Sequence, residues 1–276
     1  MNKGVVYIIG GEKYAKMALA SILSLRKNGG RAGKQPIHVY YMGEVFFDGA
    51  FNNLGCSIIP CSCNKISQGG HRLVKSTVMQ EVSFDKYIMI DADTFVQGDF
   101  YELFDLIPED GVAGIGDGNF QSHLQMAEFL FLNKNGKKKG EIRETVKELL
   151  GVDYGEEINF PPYFNVGVLG LSLSASKKIG EKLYPLLEAL SATGIYNPHD
   201  EQLPLNSILY HDEIPAVEVN PIFNYTRSRM KHNIKNGTHD SIKDTIRVIH
   251  NRHYPKEANW IDTKSIIEEV EKLIKQ

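Results

Sequence analysis

The clearest candidates for chemistry are two aspartates that flank one alanine, Asp91-Ala92-Asp93. They directly follow residues 86–90 (KYIMI), an apolar run that is typical of a parallel strand buried on both faces. Because side chains alternate between the faces of a strand, Asp91 and Asp93 can point to the same side. Carboxylate oxygens suit Mg²⁺ or Mn²⁺, and such ions usually also hold substrate phosphates. The sequence therefore predicts a divalent-metal site at the end of this strand.

The triplet alone has a second interpretation. On the order of one Asp-x-Asp triplet arises by chance in a chain of this length and acidity, and aspartate is frequent in the turns that follow strands. The buried strand in front of Asp91 favours the metal site over a simple turn.

The elements that must position these aspartates alternate between strands and helices. Apolar, β-branched runs predict strands, and apolar residues at helical spacing predict helices. The predicted strands cover residues 4–9, 36–41, 57–60, 86–90, 112–115 and 163–171, and the predicted helices cover residues 14–25, 71–82, 141–150, 179–190 and 266–274. This alternation predicts an α/β fold with a mainly parallel, Rossmann-like sheet and helices on both faces. Ligands of such sheets bind beyond the carboxyl ends of the strands, where the two aspartates lie.

Length and composition predict one domain over residues 1–276. The chain has 276 residues, of which 42% are hydrophobic, enough for a sizeable core. Residues 117–160 are polar and contain the stretch NKNGKKKG, so we interpret them as an insertion over one face. Residues 262–276 predict a C-terminal helix with mixed charge on its polar face, which indicates a packed helix rather than a basic membrane anchor.

Charge and hydropathy argue against several other classes of protein. The formal net charge of −3 does not favour binding to nucleic acid or to acidic membranes. No apolar stretch reaches the roughly 18–20 residues of a membrane span, and the apolar run after Met1 is too short for a signal peptide, so we expect a cytoplasmic protein. Cys56, Cys61 and Cys63 favour free thiols over zinc, because a fourth ligand at a standard spacing is missing.

Residues 85–105 (DKYIMIDADTFVQGDFYELFD) resemble the core of glycosyltransferase family 8, which contains glycogenin and bacterial lipopolysaccharide galactosyl- and glucosyltransferases. Members of that family have an Asp-x-Asp after an apolar strand, then a Gly-Asp and a Glu-Leu-Phe. Further segments match in the family's order: Tyr14-Ala15-Lys16, Arg72 with Lys75, Phe164-Asn165-Val166-Gly167-Val168, Glu201-Gln202-Leu203-Pro204-Leu205-Asn206, and Val248-Ile249-His250 followed by Lys256. The resemblance runs from residue 4 to about residue 260 and leaves out the insertion and the last helix.

The resemblance implies a GT-A fold and a metal-dependent, retaining glycosyltransferase that moves a hexose from a nucleotide-diphosphate sugar. The donor would be UDP-glucose or UDP-galactose, and the acceptor a glycan, a lipid-linked molecule or a protein. The resemblance implies that Mn²⁺ (or Mg²⁺) is bound by Asp91, Asp93 and His250. It assigns donor binding to Tyr14, Arg72, Lys75, Asp91, Ala92, Asp93, Asn165, Gly167 and Lys256, and catalysis to Glu201, Gln202 and Asn165.

The assigned residue types suit these roles. Lysine and arginine place positive charge at a diphosphate, and neutral imidazole is an acceptable Mn²⁺ ligand. The carboxylate of Glu201 would stabilise an oxocarbenium-like carbon, the amide of Asn165 would bind sugar hydroxyls, and Gly167 would let the backbone approach the donor closely. Tyr14 would pack against the nucleotide base, although its spacing equally fits the apolar face of a helix.

Two other functions stay open. Gly10-Gly11-Glu12 and His253 stand where the family usually has other residues, which leaves open a non-catalytic nucleotide-sugar or carbohydrate-binding protein on the same scaffold. An aspartyl-nucleophile phosphohydrolase also has an Asp-x-Asp after an apolar strand, but it has Thr or Val where this chain has Phe95.

Acceptor contacts are expected in two segments, residues 117–160 and a loop at residues 224–238. In the second segment, Arg227, Arg229 and Lys231 would meet a phosphorylated acceptor or be solvated. Many proteins of this fold dimerise, so a homodimer is one possible assembly.

Overall fold

A computed structural model describes residues 1–61, 70–117, 144, 147–148, 163–192, 201–250 and 263–275 of the chain. The strands within these ranges are β1 (Lys3–Gly10), β2 (Ile37–Met42), β3 (Cys56–Pro60), β4 (Lys86–Ile90), β5 (Thr94–Val96), β6 (Val112–Gly116), β7 (Phe164–Ser172), β8 (Ala216–Glu218), β9 (Tyr225–Thr226) and β10 (Val248–His250). The helices are α1 (Glu12–Asn28), α2 (Asp48–Asn53), α3 (Gly70–Glu81), α4 (Glu102–Leu106), α5 (Leu173–Ala192), α6 (Gln202–His211), α7 (Arg227–Lys235), α8 (His239–Ile242) and α9 (Thr263–Ile274).

The main sheet has the strand order β3-β2-β1-β4-β7-β6-β8. The first four of these strands are parallel. β7 is antiparallel to both of its neighbours, and β8 is parallel to β6, so six strands share one direction and β7 is reversed. The predicted mainly parallel sheet is confirmed, with one reversed strand whose direction the apolar pattern of residues 163–171 did not indicate.

Both faces of the sheet are covered because its strands are apolar on both faces. Val5, Tyr7 and Ile9 of β1 are buried in the core that contains α1 and α9. Val6 of the same strand is buried in the opposite core, with α3 and α5. Because successive side chains of a strand point to opposite faces, one strand contributes to two hydrophobic layers. This is expected for helices on both faces of an α/β sheet.

A second, three-stranded sheet (β5-β10-β9) positions residues that are distant in the sequence. β10 is antiparallel to β5, with His250 opposite Thr94, and parallel to β9, with His250 opposite Thr226. Because Thr94 directly follows Asp93, this pairing brings His250 beside the Asp-x-Asp triplet.

The described residues also bear on the predicted C-terminal helix, insertion and loop. The C-terminal helix is present as α9, whereas most of the predicted insertion at residues 117–160 lies outside the described residues. The loop predicted at residues 224–238 is wrong, because β9 and α7 occupy it. Met230 is the buried residue of α7, so this helix lacks the apolar stripe that would have indicated it. Among the described helices, none combines the length and apolar character that a membrane span requires.

Candidate active site

The turn between β4 and β5 holds Asp91 and Asp93 in place. The amide of Asp91 donates to the carbonyl of Gly167 at 2.8 Å, which ends the pairing of β4 with β7. The hydroxyl of Thr94 donates to the carbonyl of Asp91 at 2.9 Å and also contacts Ser21 Oγ of α1 at 2.7 Å. The two carboxylates therefore belong to a turn that is hydrogen-bonded to the neighbouring strand and to a packed helix.

His250 completes a group of three metal-ligating side chains. Its Nε2 lies 3.2 Å from Asp93 Oδ1 and 3.9 Å from Asp91 Oδ2. One ligand atom from each of the three residues lies within 4.8 Å of the others. Two carboxylate oxygens and one imidazole nitrogen form a donor set that suits Mn²⁺.

The electrostatics of this group favour positive charge at its centre. Burial lowers the pKa of His250, but the charge and hydrogen bond of Asp93 and the charge of Asp91 raise it, with a net upward shift. The same two carboxylates that favour a proton on this ring would favour a divalent cation in the proton's place.

Lys75 links the metal group to a third carboxylate. Its Nζ lies 3.1 Å from Asp91 Oδ1 and 3.5 Å from Glu201 Oε1, and the side chain is almost fully buried. Burial lowers the pKa of Lys75, but Asp91 and Glu201 outweigh this effect and raise it, so the ammonium group stays charged. Lys75 thus contacts two carboxylates of the cavity, and the third, that of Asp93, lies against His250. A divalent cation between Asp91 and Asp93 would add positive charge where these carboxylates meet.

A network of amides surrounds Asp117. Asp117 Oδ2 accepts hydrogen bonds from Asn165 Nδ2 at 2.9 Å and from Gln202 Nε2 at 3.1 Å. Gln202 Oε1 in turn accepts from the amide of Val166 at 3.3 Å. Asn165 and Gln202, both predicted as catalytic residues, therefore also hold a buried carboxylate in position. The sequence indicated Asp117 only as the first residue of the expected acceptor segment, although it directly follows the apolar strand β6, which is the same signal that indicated Asp91.

Gly167 has a different neighbour from the one predicted. A Cβ atom at this position would lie 2.1 Å from Cε1 and 2.3 Å from Nδ1 of His250. Glycine is therefore needed for the approach of the imidazole ring to the backbone of β7, rather than for the approach of the donor alone.

Asn224 is a second residue that the sequence did not indicate. Its side chain lies between Asn165 and His250 and is fully buried. Its Nδ2 donates to Asn165 Oδ1 at 2.8 Å, and its Oδ1 lies 3.2 Å from Nδ1 of His250. No local pattern around Asn224 indicates this role, because its neighbours in space come from β7 and β10.

The structure brings most of the predicted site residues together around one cavity of about 680 Å³. Those in its lining are Tyr14, Lys75, Asp91, Ala92, Asp93, Asn165, Glu201, Gln202 and His250. Tyr14 is 51% exposed, so it belongs to the cavity and not to the core. The side chain of Arg72 and the whole of Lys256 lie outside the described residues. A cavity of this size lies within the roughly 300–1,000 Å³ range of small-molecule sites.

A second cavity of about 720 Å³ lies beside the first. Asp117 lines it, and Asp117 is hydrogen-bonded to Asn165 and Gln202 in the lining of the first cavity. Ser228, Arg229 and His232 of α7 also line the second cavity. Asp117 therefore links the lining of the second cavity to that of the first by hydrogen bonds.

Two of the three cysteines lie within the described residues. Cys56 and Cys61 form no disulfide bond there, and burial raises the pKa of the Cys56 thiol to about 11. Cys63 lies outside the described residues.

The fold of the chain is similar to that of solved glycosyltransferases. Two of the similar solved structures each have 16% sequence identity to this chain. The galactosyltransferase LgtC in complex with donor and acceptor sugar analogues matches with a TM-score of 0.61 over 98% of this chain and 95% of LgtC. The bifunctional glycosyltransferase WbbM matches with a TM-score of 0.64 over 99% of this chain and 51% of WbbM. An active-site mutant of LgtC matches with the same TM-score and coverage as the first structure. None of the curated proteins matches the chain.

The sequence itself also matches a family model. The model described as "Glycosyl transferase family 8" covers residues 71–254, a span that contains Lys75, Asp91, Asp93 and His250. The fold similarity to LgtC and WbbM is that of a GT-A-type α/β domain. The chain belongs to glycosyltransferase family 8.

Proposed function

We propose that this chain transfers a hexose from a nucleotide-diphosphate sugar, UDP-glucose or UDP-galactose, to an acceptor hydroxyl, with a divalent metal ion held by Asp91, Asp93 and His250. The observation that carries the proposal is the meeting of these three side chains in the lining of one cavity, beside Lys75 and Glu201. The acceptor is a glycan, a lipid-linked molecule or a protein.

In the net reaction, the bond between the anomeric carbon and the diphosphate oxygen breaks, and the acceptor oxygen bonds to that carbon. The hydroxyl proton is released with the nucleoside diphosphate. Mn²⁺ or Mg²⁺, when bound, would supply a Lewis acid that neutralises the charge developing on the leaving diphosphate. Lys75 would hold Asp91 and Glu201 in fixed positions around that group, so that the site does not have to reorganise during the reaction.

Glu201 is the carboxylate that we assign to the sugar. Lys75 fixes its Oε1 from a distance of 3.5 Å, and Glu201 lines the same cavity as the metal group. A negative charge at this position would stabilise the oxocarbenium-like carbon as the leaving group departs. Gln202, the next residue, would act through the carboxylate of Asp117, which it holds at 3.1 Å.

We place the acceptor in the second cavity. Because Asp117 links the linings of the two cavities, an acceptor hydroxyl in the second cavity would lie close to the donor sugar. Arg229 in the lining of the second cavity suits an anionic or hydroxyl-rich acceptor. We also propose that residues 117–160 contribute to this site, as an insertion in a single domain. Retention of the anomeric configuration follows from the resemblance to family 8.

Turnover of nucleotide sugars tests the proposal. Purified protein is incubated with UDP-glucose, UDP-galactose and the GDP- and ADP-linked sugars, with Mn²⁺ or with EDTA, and released nucleoside diphosphate is measured. We expect release from a UDP-sugar that requires Mn²⁺ and is lost in Asp93→Ala. ¹H NMR of the first product formed gives the anomeric configuration. Binding of a UDP-sugar without any release would support a non-catalytic binding protein, and metal-dependent release of inorganic phosphate alone would support a phosphohydrolase.

A further inference from the structure

Asn224 connects the metal group to the main sheet through its side chain. It is fully buried, it donates to Asn165 Oδ1 at 2.8 Å, and its Oδ1 lies 3.2 Å from His250 Nδ1. Asn165 lies on β7, and His250 lies on β10, which pairs with the short strand that follows Asn224. The side chain of Asn224 therefore spans the gap between the two sheets at the metal group.

The orientations of the two amides are fixed by partners with only one hydrogen-bonding role. The backbone N–H of Gly167 can only donate, and it lies 2.9 Å from Asn165 Oδ1. The carboxylate of Asp117 accepts from Asn165 Nδ2. The atom of Asn224 that faces Asn165 Oδ1 must therefore be its Nδ2, because an oxygen there would leave two acceptors in contact. The Oδ1 of Asn224 is consequently the atom that faces His250.

This chain of donors and acceptors fixes the role of one nitrogen of the His250 ring. An amide oxygen can only accept, so Nδ1 of His250 carries a proton and donates to Asn224 Oδ1. The other nitrogen, Nε2, lies 3.2 Å from Asp93 Oδ1 and 3.9 Å from Asp91 Oδ2, where a bound cation would take the place of a proton. Hydrogen bonds of this kind to the second nitrogen of a ligating histidine fix its tautomer and orientation.

We propose that Asn224 is a positioning residue for the metal site: it holds His250 through a hydrogen bond from Nδ1, with Nε2 directed between Asp91 and Asp93, and so sets the affinity for Mn²⁺. The inference rests on the proposed function for the identity of the ion. The hydrogen bond itself does not depend on that function, since the contacts among Gly167, Asn165, Asn224 and His250 are present without an ion.

Three variants of the full chain test the proposal by their Mn²⁺ affinity, measured by EPR of free Mn²⁺. Asn224→Ala removes the acceptor, and we expect affinity to fall by roughly ten- to a hundredfold. Asn224→Asp keeps an acceptor for Nδ1 but loses the donor to Asn165, and we expect affinity within about threefold of wild type. Asn236→Ala loses a surface contact with His232 and lies outside the linings of both cavities, so we expect wild-type affinity.

Stability and tautomer measurements separate positioning from a merely structural role. Both Asn224 variants lose the hydrogen bond to Asn165, so thermal unfolding in EDTA should show both destabilised. If Asn224 acted only through the stability of the fold, Mn²⁺ binding would weaken in both variants, and that result would overturn the proposal, as would wild-type affinity in Asn224→Ala.

¹⁵N NMR of the histidine rings in EDTA gives a readout that needs no metal, with His250→Gln to assign the signal. We expect a protonated, hydrogen-bonded Nδ1 in the wild type and in Asn224→Asp, and loss of that hydrogen-bonded N–H signal in Asn224→Ala. A wild-type ring without a proton on Nδ1 would overturn the inference. A wild-type protein with the expected Nδ1–H and no Mn²⁺ binding would contradict the proposed function instead.

Discussion

The Nζ of Lys75 lies 3.1 Å from Oδ1 of Asp91, so a buried ammonium group shares a carboxylate with the proposed metal site. The same nitrogen lies 3.5 Å from Glu201. Lys75 therefore has two opposed effects. It stabilises the protein without a metal, because it compensates two carboxylates, and it competes with a cation for Asp91.

Lys75→Met should separate these two effects. Loss of the ammonium leaves Asp91 and Glu201 without their partner, and we expect the free energy of unfolding in EDTA to fall by about 3 kcal/mol. Mn²⁺ affinity should rise by roughly threefold to tenfold, because a competing positive charge is gone. Thermal unfolding and EPR measure the two quantities. Lys182→Met, whose ion pair with Asp212 is on the surface, serves as the control and should change neither by much. A fall in Mn²⁺ affinity in Lys75→Met would contradict this account.

Gly167→Ala tests the contact between β7 and the imidazole ring. The added methyl group would lie 2.1 Å from Cε1 of His250, so the ring must leave its position beside Asp93. We expect about 1–3 kcal/mol of destabilisation and weaker Mn²⁺ binding, measured by thermal unfolding and EPR. Gly49→Ala is the matched control, since nothing lies within 4 Å of the methyl group there. Unchanged Mn²⁺ affinity in Gly167→Ala would show that the ring position does not matter for the metal.

Asp117→Asn tests the carboxylate that links the linings of the two cavities. An amide oxygen in place of Oδ2 could still accept from Asn165 and Gln202, but the negative charge is lost. We expect turnover of the nucleotide sugar to fall on the order of 10²-fold, with Mn²⁺-dependent nucleotide binding close to wild type. Asp110→Asn is the control, because Asp110 accepts from Ser174 at the surface and is outside the linings of both cavities. Wild-type turnover in Asp117→Asn would remove Asp117 from the reaction.

The pKa of Asp99 predicts that its carboxylate contributes to stability in a pH-dependent way. Burial raises this pKa, but hydrogen bonds from the amides of Arg31, Tyr101 and Ala32 lower it by more, so the net pKa lies below the usual value of 3.8. A depressed pKa in the folded state means that the stabilisation is present above pH 3.8 and is lost as pH falls through the folded pKa.

The matching experiment compares Asp99→Asn with wild type at several pH values. We expect a loss of about 1 kcal/mol at pH 7, or roughly 2–4 °C in Tm. The difference between variant and wild type should shrink steadily below pH 4. Asp240→Asn, at a side chain that is 88% exposed, should show neither effect. A difference that stays constant down to pH 3 would exclude the ionised carboxylate as the cause.

Much of this arrangement could be predicted from the sequence because it lies in short segments. The continuous apolar run of β4 indicated a buried strand, and Asp91 and Asp93 at its end indicated a metal site. The main sheet and its covering helices followed from the same patterns. His250 could be assigned only by resemblance, because its approach to Asp93 depends on the pairing of β10 with β5.

Other features depend on contacts between distant segments, which one sequence does not specify. The reversed direction of β7, the helix α7 and the positions of Asp117 and Asn224 are of this kind. Asn224 looks like a loop residue in the sequence, and only the closure of β9 on β10 buries it against His250. The role of Gly167 was assigned to the donor because the imidazole that approaches it comes from a strand far along the chain.

The most direct test of the metal-dependent donor site is thermal unfolding with nucleotides. The wild type and Asp93→Ala are each unfolded with UDP, GDP, CDP or ADP, in Mn²⁺ and again in EDTA. A ligand at about 100 times its Kd stabilises the folded state by roughly 2.7 kcal/mol, which corresponds to several degrees. We predict such a shift for UDP with Mn²⁺ and its loss in EDTA and in Asp93→Ala. A shift of equal size in EDTA, or no shift with any nucleotide from folded wild-type protein, would contradict the account.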